Sequence, residues 1–121
     1  SNFNEYQELA GRTANHSLEQ KLRASVAGLG LAGETGEAVE LLKKWIGHGH
    51  ELNLDTVAKE LGDVLWYVAE ISTVLGLSMG EIAERNIQKL KTRYPEGFSS
   101  SNSQARVDVQ PRPVEIKRTL L

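Results

Sequence analysis

The sequence predicts an all-α chain: a four-helix-bundle-like body over residues 1–98 followed by an extended C-terminal tail over residues 99–121. Three observations carry that reading. Val57, Leu61, Val64, Leu65, Val68, Ile71 and Leu75 recur at the i, i+3, i+4 spacing of one helix face. Ser17-Leu-Glu-Gln20 and Ser78-Met-Gly-Glu81 have the form of capping boxes, which open helices. No run before residue 100 alternates as a half-buried strand would.

Asn4, with Gln7 three residues on, can cap a first helix with Tyr6, Leu9, Ala10 and Thr13 on its inner face. Asn15-His-Ser17 breaks it, and the Ser17 box opens a second helix through Leu22, Val26 and Leu29. Glycines at 28, 30, 33 and 36 each weaken that helix by about 1 kcal/mol relative to alanine, so close approach of a neighbouring helix or a ligand is expected there. The apolar period resumes through Val39, Leu42 and Ile46, and residues 47–53 read as a loop. Asn53 or Asp55 can cap the third helix, and Gly76 suits its end. The fourth begins at the Ser78 box, carries Ile82, Asn86, Lys89, Leu90 and Arg93, and stops at Pro95 and Gly97. Ser99–Ser103 looks like a linker; the alternation Val107-Asp-Val109 with Pro111 and Pro113 suits a disordered tail or an arm on a neighbouring subunit.

A length of 121 residues suits one domain, with room for a core but not for a deep enclosed cleft. The net charge of −2 gives no basic field to draw in nucleic acid. The absence of cysteine excludes disulfides, thiolate zinc sites and cysteine nucleophiles, and is compatible with a cytoplasmic location. No apolar run is long enough for a transmembrane helix, and no signal peptide is visible at Ser1.

Chemistry concentrates in two segments, Glu34-Thr-Gly-Glu37 and Glu60-Leu-Gly-Asp63. Each puts two carboxylates three residues apart, on one helix face. One such fork is an ordinary solvated face. Two forks meeting across a helix pair form a nest whose mutual repulsion a cation relieves, and hard oxygen ligands suit Mg²⁺ or Mn²⁺. Gly33, Gly36 and Gly62 flank or separate the carboxylates and would let the helices close in, while Glu40 extends the first series by a turn.

These residues resemble those of the MazG-like nucleoside triphosphate pyrophosphohydrolases, within the all-α NTP pyrophosphatase superfamily. The resemblance rests on E-x-x-E followed by E-x-x-D, in the contexts Leu31-Ala-Gly-Glu-Thr-Gly-Glu-Ala38 and Lys59-Glu-Leu-Gly-Asp-Val-Leu-Trp-Tyr67, and on Asn86-Ile-Gln-Lys-Leu-Lys-Thr-Arg-Tyr-Pro-Glu-Gly-Phe98. It spans roughly residues 3–98 and not the tail. It implies a MazG-type fold and Mg²⁺-dependent hydrolysis of a nucleoside triphosphate, ribo or deoxy, to the monophosphate and pyrophosphate, with water activated by the metal attacking the α-phosphorus. By match, Glu34, Glu37, Glu60 and Asp63 are metal ligands, and Lys89 and Arg93, with Asn86 a turn before, contact substrate. Glu37 and Glu40 both remain open as the general base. Homodimers or homotetramers are expected. A relative restricted to dUTP or a phosphoribosyl nucleotide shares this carboxylate layout, and a non-catalytic helical module is the alternative of another class.

Other motifs point elsewhere and fail. Gly28-Leu-Gly-Leu-Ala-Gly33 has the letters of a dinucleotide fingerprint but follows a helix rather than a strand. No P-loop, H-E-x-x-H or E-x-x-H occurs. His48 and His50 sit in a glycine-rich loop where solvated histidines are the rule, yet the Gly-His-Gly-His run resembles some family members, and His50 is a candidate substrate contact. Trp45, Trp66 and Tyr67 are read as packing residues.

Overall fold

The computed structural model describes residues 2–106, so the expectations for Val107–Val109 and the two prolines lie outside the described residues. The helices are α1 (Phe3–Gly11), α2 (Gln20–His48), α3 (Leu54–Val74), α4 (Met79–Arg93) and a short α5 (Ser100–Ala105). No strand forms among the described residues. The described residues fall into two compact units that divide between Ile82 and Ala83, within α4.

Helix boundaries follow side-chain capping, though not always by the expected residue. Asn2, not Asn4, caps α1, its Oδ1 accepting from Glu5 N at 2.9 Å. Asn4 is engaged across the fold instead: its Oδ1 accepts from Gly80 N at 2.9 Å and from the Ser78 hydroxyl at 2.8 Å. The α2 cap is Glu19, whose carboxylate accepts from Lys21 N and Leu22 N, because the Ser17 hydroxyl and amide are both drawn to Asn15 Oδ1. Helix α2 also runs through Gly47 to His48 before Gly49 turns the chain at φ 69°, so His48 is helical rather than in the loop. Asn53 caps α3 as expected, and Gly76 follows its end at φ 72°. The expected Ser99–Ser103 linker contains α5, which Ser99 caps by accepting from Asn102 N at 3.0 Å.

The start of α4 shows how the first unit is tied together. A helix N-terminus leaves backbone N–H groups without intrahelical partners. Gln7 Oε1 takes that of Met79 at 2.8 Å, Asn4 that of Gly80, and Ser78 Oγ that of Glu81 at 3.3 Å. Gln7 also donates to Leu77 O and Gln20 to Val74 O, satisfying carbonyls at the end of α3. The small core is Ala10, Ala69 and Met79, flanked by half-buried Tyr6, Leu65, Trp66 and Val68.

Several residues expected to face inward do not. Leu9 on α1, Leu61 on α3 and Leu75 at its C-cap are exposed, as are Leu22, Val26, Leu29, Val39, Leu42 and Ile46 on α2. The side of α2 that meets α3 carries Arg23, Gly30 and Glu34, so the apolar residues picked out by spacing stay exposed. Its two buried residues are Ala27 and Ala38. No single helix among the described residues is long and apolar enough to cross a membrane.

Candidate metal centre

Helices α2 and α3 run antiparallel, joined by a short turn, and their side chains meet in a regular register. Arg23 of α2 lies against Glu70 of α3. Further along α2, Gly30 lies against Tyr67, and a turn beyond, Glu34 meets Glu60. One oxygen from each of Glu34, Glu37 and Glu60 lies within 4.8 Å of the other two. Three of the four carboxylates expected to form a nest are thus brought together. The fourth, Asp63, is exposed, one turn from Glu60, and its charge acts on Glu34 and on the Tyr6 hydroxyl.

The electrostatics are those of an uncompensated acidic cluster. Glu34 Oε2 and Glu60 Oε2 are both buried, and no donor reaches either. Burial, then sharing of a proton with Glu60, then the charges of Glu37 and Asp63, push the Glu34 carboxyl up to about 7. With every carboxylate ionised no hydrogen stands between Glu34 and Glu60; protonating Glu34 provides one. Burying an ionised oxygen with no partner is costly. A proton meets that cost in part, and a cation would meet it more fully. The donors are all carboxylate oxygens, the set that fits a hard divalent ion.

The remaining candidates are placed differently. Glu40 is one turn past Glu37 and pairs with Lys43 at 3.1 Å. Its hydrogen bond to Lys43, with the charges of Lys43, Lys44 and His48, holds its carboxyl below the usual range. His50 lines a small cavity of about 90 Å³ beside Lys44, Glu51 and Asn53, and its backbone N–H donates to Lys44 O at 3.0 Å. In the second unit, Asn86 and Lys89 are exposed on α4, and the Arg93 guanidinium lies 5.9 Å from the centre of the Tyr94 ring.

Glycine does not act where the sequence suggested. A side chain at Gly33, Gly36 or Gly62 would meet nothing within 4 Å, because all three lie off the α2–α3 seam on exposed surface. The close approach is at Gly30, where an added Cβ would overlap the Tyr67 ring. Sequence reading also passed over the buried pair of Arg23 and Glu70, bonded at 2.7 and 3.2 Å. A signal was present: Glu70 sits between Val68 and Ile71, inside the apolar stripe of α3, where a carboxylate needs a partner.

The sequence profile of the MazG nucleotide pyrophosphohydrolase domain matches residues 24–98, which include every carboxylate of the cluster. Among curated proteins, the Gene 37 protein of Mycobacterium phage L5 is 37% identical over 73 residues, covering 57% of this chain. The match spans 64% of that protein's own length. No solved structure matches the chain.

Proposed function

Since the chain belongs to the MazG nucleotide pyrophosphohydrolase family, we propose that it hydrolyses a nucleoside triphosphate to the monophosphate and pyrophosphate, with Mg²⁺ held by Glu34, Glu37, Glu60 and Asp63. The observation that carries this reading is the pair of buried, partnerless oxygens on Glu34 and Glu60, converging with Glu37 from two helices. Mn²⁺, another hard ion, would substitute.

Held by these carboxylates, the cation would supply positive charge to offset their repulsion and Lewis-acid activation of the phosphate. The residues of the chain have separate tasks. Glu34 and Glu60, from facing helices, hold their oxygens in a fixed and partly desolvated arrangement. Glu37 is exposed at the edge of the cluster, so it can face both ion and solvent. It would orient a water towards the α-phosphorus and accept its proton as the bond to the bridging oxygen of the β-phosphate breaks. Glu40 is the poorer base, since Lys43 stabilises its ionised form. On their spacing along α4 and the match to the family motif, Asn86, Lys89 and Arg93 are proposed as substrate contacts, the two cations for phosphate oxygens. His50 is proposed as a further contact, supported by its place beside Lys44 in the small cavity.

A second copy of the chain is proposed to cover the apolar stripe of α2 formed by Val39, Leu42 and Ile46, which are 55%, 40% and 77% exposed. Light scattering during size-exclusion chromatography tests this; a monomer at micromolar concentration would count against it.

The deciding experiment is release of pyrophosphate and monophosphate from a panel of ribo- and deoxynucleoside triphosphates, including dUTP, with Mg²⁺ or with EDTA. Release of pyrophosphate that EDTA abolishes supports the reaction, and the panel identifies the preferred base and sugar. Orthophosphate would mean that a different bond is cut. Tight binding of nucleotide without turnover would favour a non-catalytic module.

A further inference from the structure

We propose that the contact between Gly30 and the Tyr67 ring sets the α2–α3 separation at which the carboxylate cluster can hold a divalent ion, making Gly30 a positioning residue for that ion. The inference rests on the metal assignment above and deepens it.

Glycine inside a helix is unfavourable by about 1 kcal/mol relative to alanine, and α2 carries four between residues 28 and 36. At Gly28, Gly33 and Gly36 an added Cβ would meet nothing within 4 Å. At Gly30 it would lie 2.8 Å from Cδ1 of Tyr67 and closer still to Cε1 and Cζ. No real Cβ tolerates such distances, so the ring rests on bare α2 backbone. The ring is itself braced: Trp66 stands edge-on to it, with centroids 5.0 Å apart and planes at 84°, and Trp66 Nε1 is anchored to Thr13 Oγ1 at 2.8 Å. Tyr67 therefore has a rigid neighbour on one side and helix backbone on the other.

The position along the seam gives the contact its consequence. Gly30 is one turn from Glu34 on α2, and Tyr67 is one turn from Asp63 on α3. A methyl group at 30 would need room of at least half an ångström or so before its contact with Cδ1 became ordinary, and more for the nearer ring atoms. The contact lies one turn from Glu34 on α2 and two turns from Glu60 on α3, near enough along the packed helices to carry that displacement into the cluster. The cluster has little slack. Mg²⁺–oxygen distances of about 2.1 Å put opposed ligand oxygens at most about 4.2 Å apart, and the three oxygens here all lie within 4.8 Å of one another, so a shift of about half an ångström is large on the scale of the site.

The test is Mn²⁺ binding to nucleotide-free protein, read from the free-ion signal in electron paramagnetic resonance, with folding followed by circular dichroism. Gly30→Ala should weaken Mn²⁺ binding by about tenfold, the scale of an outer group that orients ligands. Adding Tyr67→Leu should recover most of that loss, because the smaller side chain vacates the space the methyl needs. A merely structural role would lower thermal stability and leave the affinity of the folded protein unchanged. Folded Gly30→Ala with wild-type affinity overturns the inference, as does a folded double variant that recovers nothing. Should Gly30→Ala fail to fold, Tyr67→Leu alone decides: affinity lowered several-fold supports the contact as the spacer, and unchanged affinity overturns it. Wild-type protein that binds no Mn²⁺ overturns the carboxylate assignment as well, which separates the two failures.

Discussion

The two ends of the α2–α3 seam handle buried carboxylates in opposite ways. At one end Glu70 is 8% exposed and Arg23 grips both of its oxygens. At the other, Glu34 and Glu60 each bury an oxygen that no donor reaches, and two further carboxylates crowd them. The helices and the residue type are the same; Glu70 is the more deeply buried residue, yet it is the one whose oxygens the chain itself supplies with donors. The first end is complete within the chain. The second is complete only with a proton or a cation from outside. A buried acid with its partner supplied by the fold is read as architecture; a set of buried acids with none is read as a ligand site.

The largest expected effect breaks the second end. Glu60→Gln keeps the shape and removes the charge, and should cut both Mn²⁺ affinity and Mg²⁺-dependent pyrophosphate release by about a hundredfold or more, beyond the usual range for groups that only orient ligands. Substrate turnover and metal titration on the same preparation check this, and turnover within a factor of a few of wild type would remove Glu60 from the site. The next effect breaks the first end. Arg23→Ala strands the Glu70 carboxylate and should lower the free energy of unfolding by about 3 kcal/mol, measured by urea titration in EDTA, while leaving Mn²⁺ affinity as it is. If the two variants swapped phenotypes, the division of labour along the seam would be wrong.

How much of this was legible in the sequence depended on the range of the interaction. Caps and stops made by adjacent residues were readable: Asn53 and the Ser78 hydroxyl cap, and Gly76 turns the chain, as their chemistry suggests. The Glu34–Glu37 fork was readable because three-residue spacing fixes a shared face within one helix, whereas Asp63 of the second fork lies exposed outside the group that Glu60 joins. Choices among equivalent groups were not. Asn2 and Asn4 are equally good caps, and the choice was made by Gly80, 76 residues away from Asn4. Likewise, four glycines in α2 look alike in one dimension, and only the register against α3 shows that Gly30 carries the contact. Arg23 and Glu70, 47 residues apart, could be paired only once that register was known. The apolar residues that spacing picks out on α2, Leu22, Val26, Leu29, Val39, Leu42 and Ile46, are all exposed, and the sequence has no means of saying that α2 meets α3 through Arg23, Gly30 and Glu34 instead.

The smallest effect, and the one that separates the two ends by sign, is the dependence of stability on pH without metal. The Glu34 carboxyl is raised from 4.5 to about 7, chiefly by burial. Between those values the unfolded chain has released this proton while the folded chain still holds it. The folded state therefore binds more protons, and the Glu34 contribution to stability, full below pH 4.5, is lost as pH rises through about 7. Urea unfolding in EDTA at pH 5 and pH 8 should show that loss, and Glu34→Gln should reduce the difference while stabilising the metal-free protein at pH 8. The same substitution at Glu70 should destabilise, because it takes the charge from a carboxylate that Arg23 already matches. Mn²⁺ affinity of the wild-type protein should rise over the same interval, since the ion competes with the Glu34 proton. A Glu34→Gln variant that is less stable at pH 8 than the wild type, both in EDTA, would mean that Glu34 is compensated within the chain after all, and the contrast between the two ends would disappear.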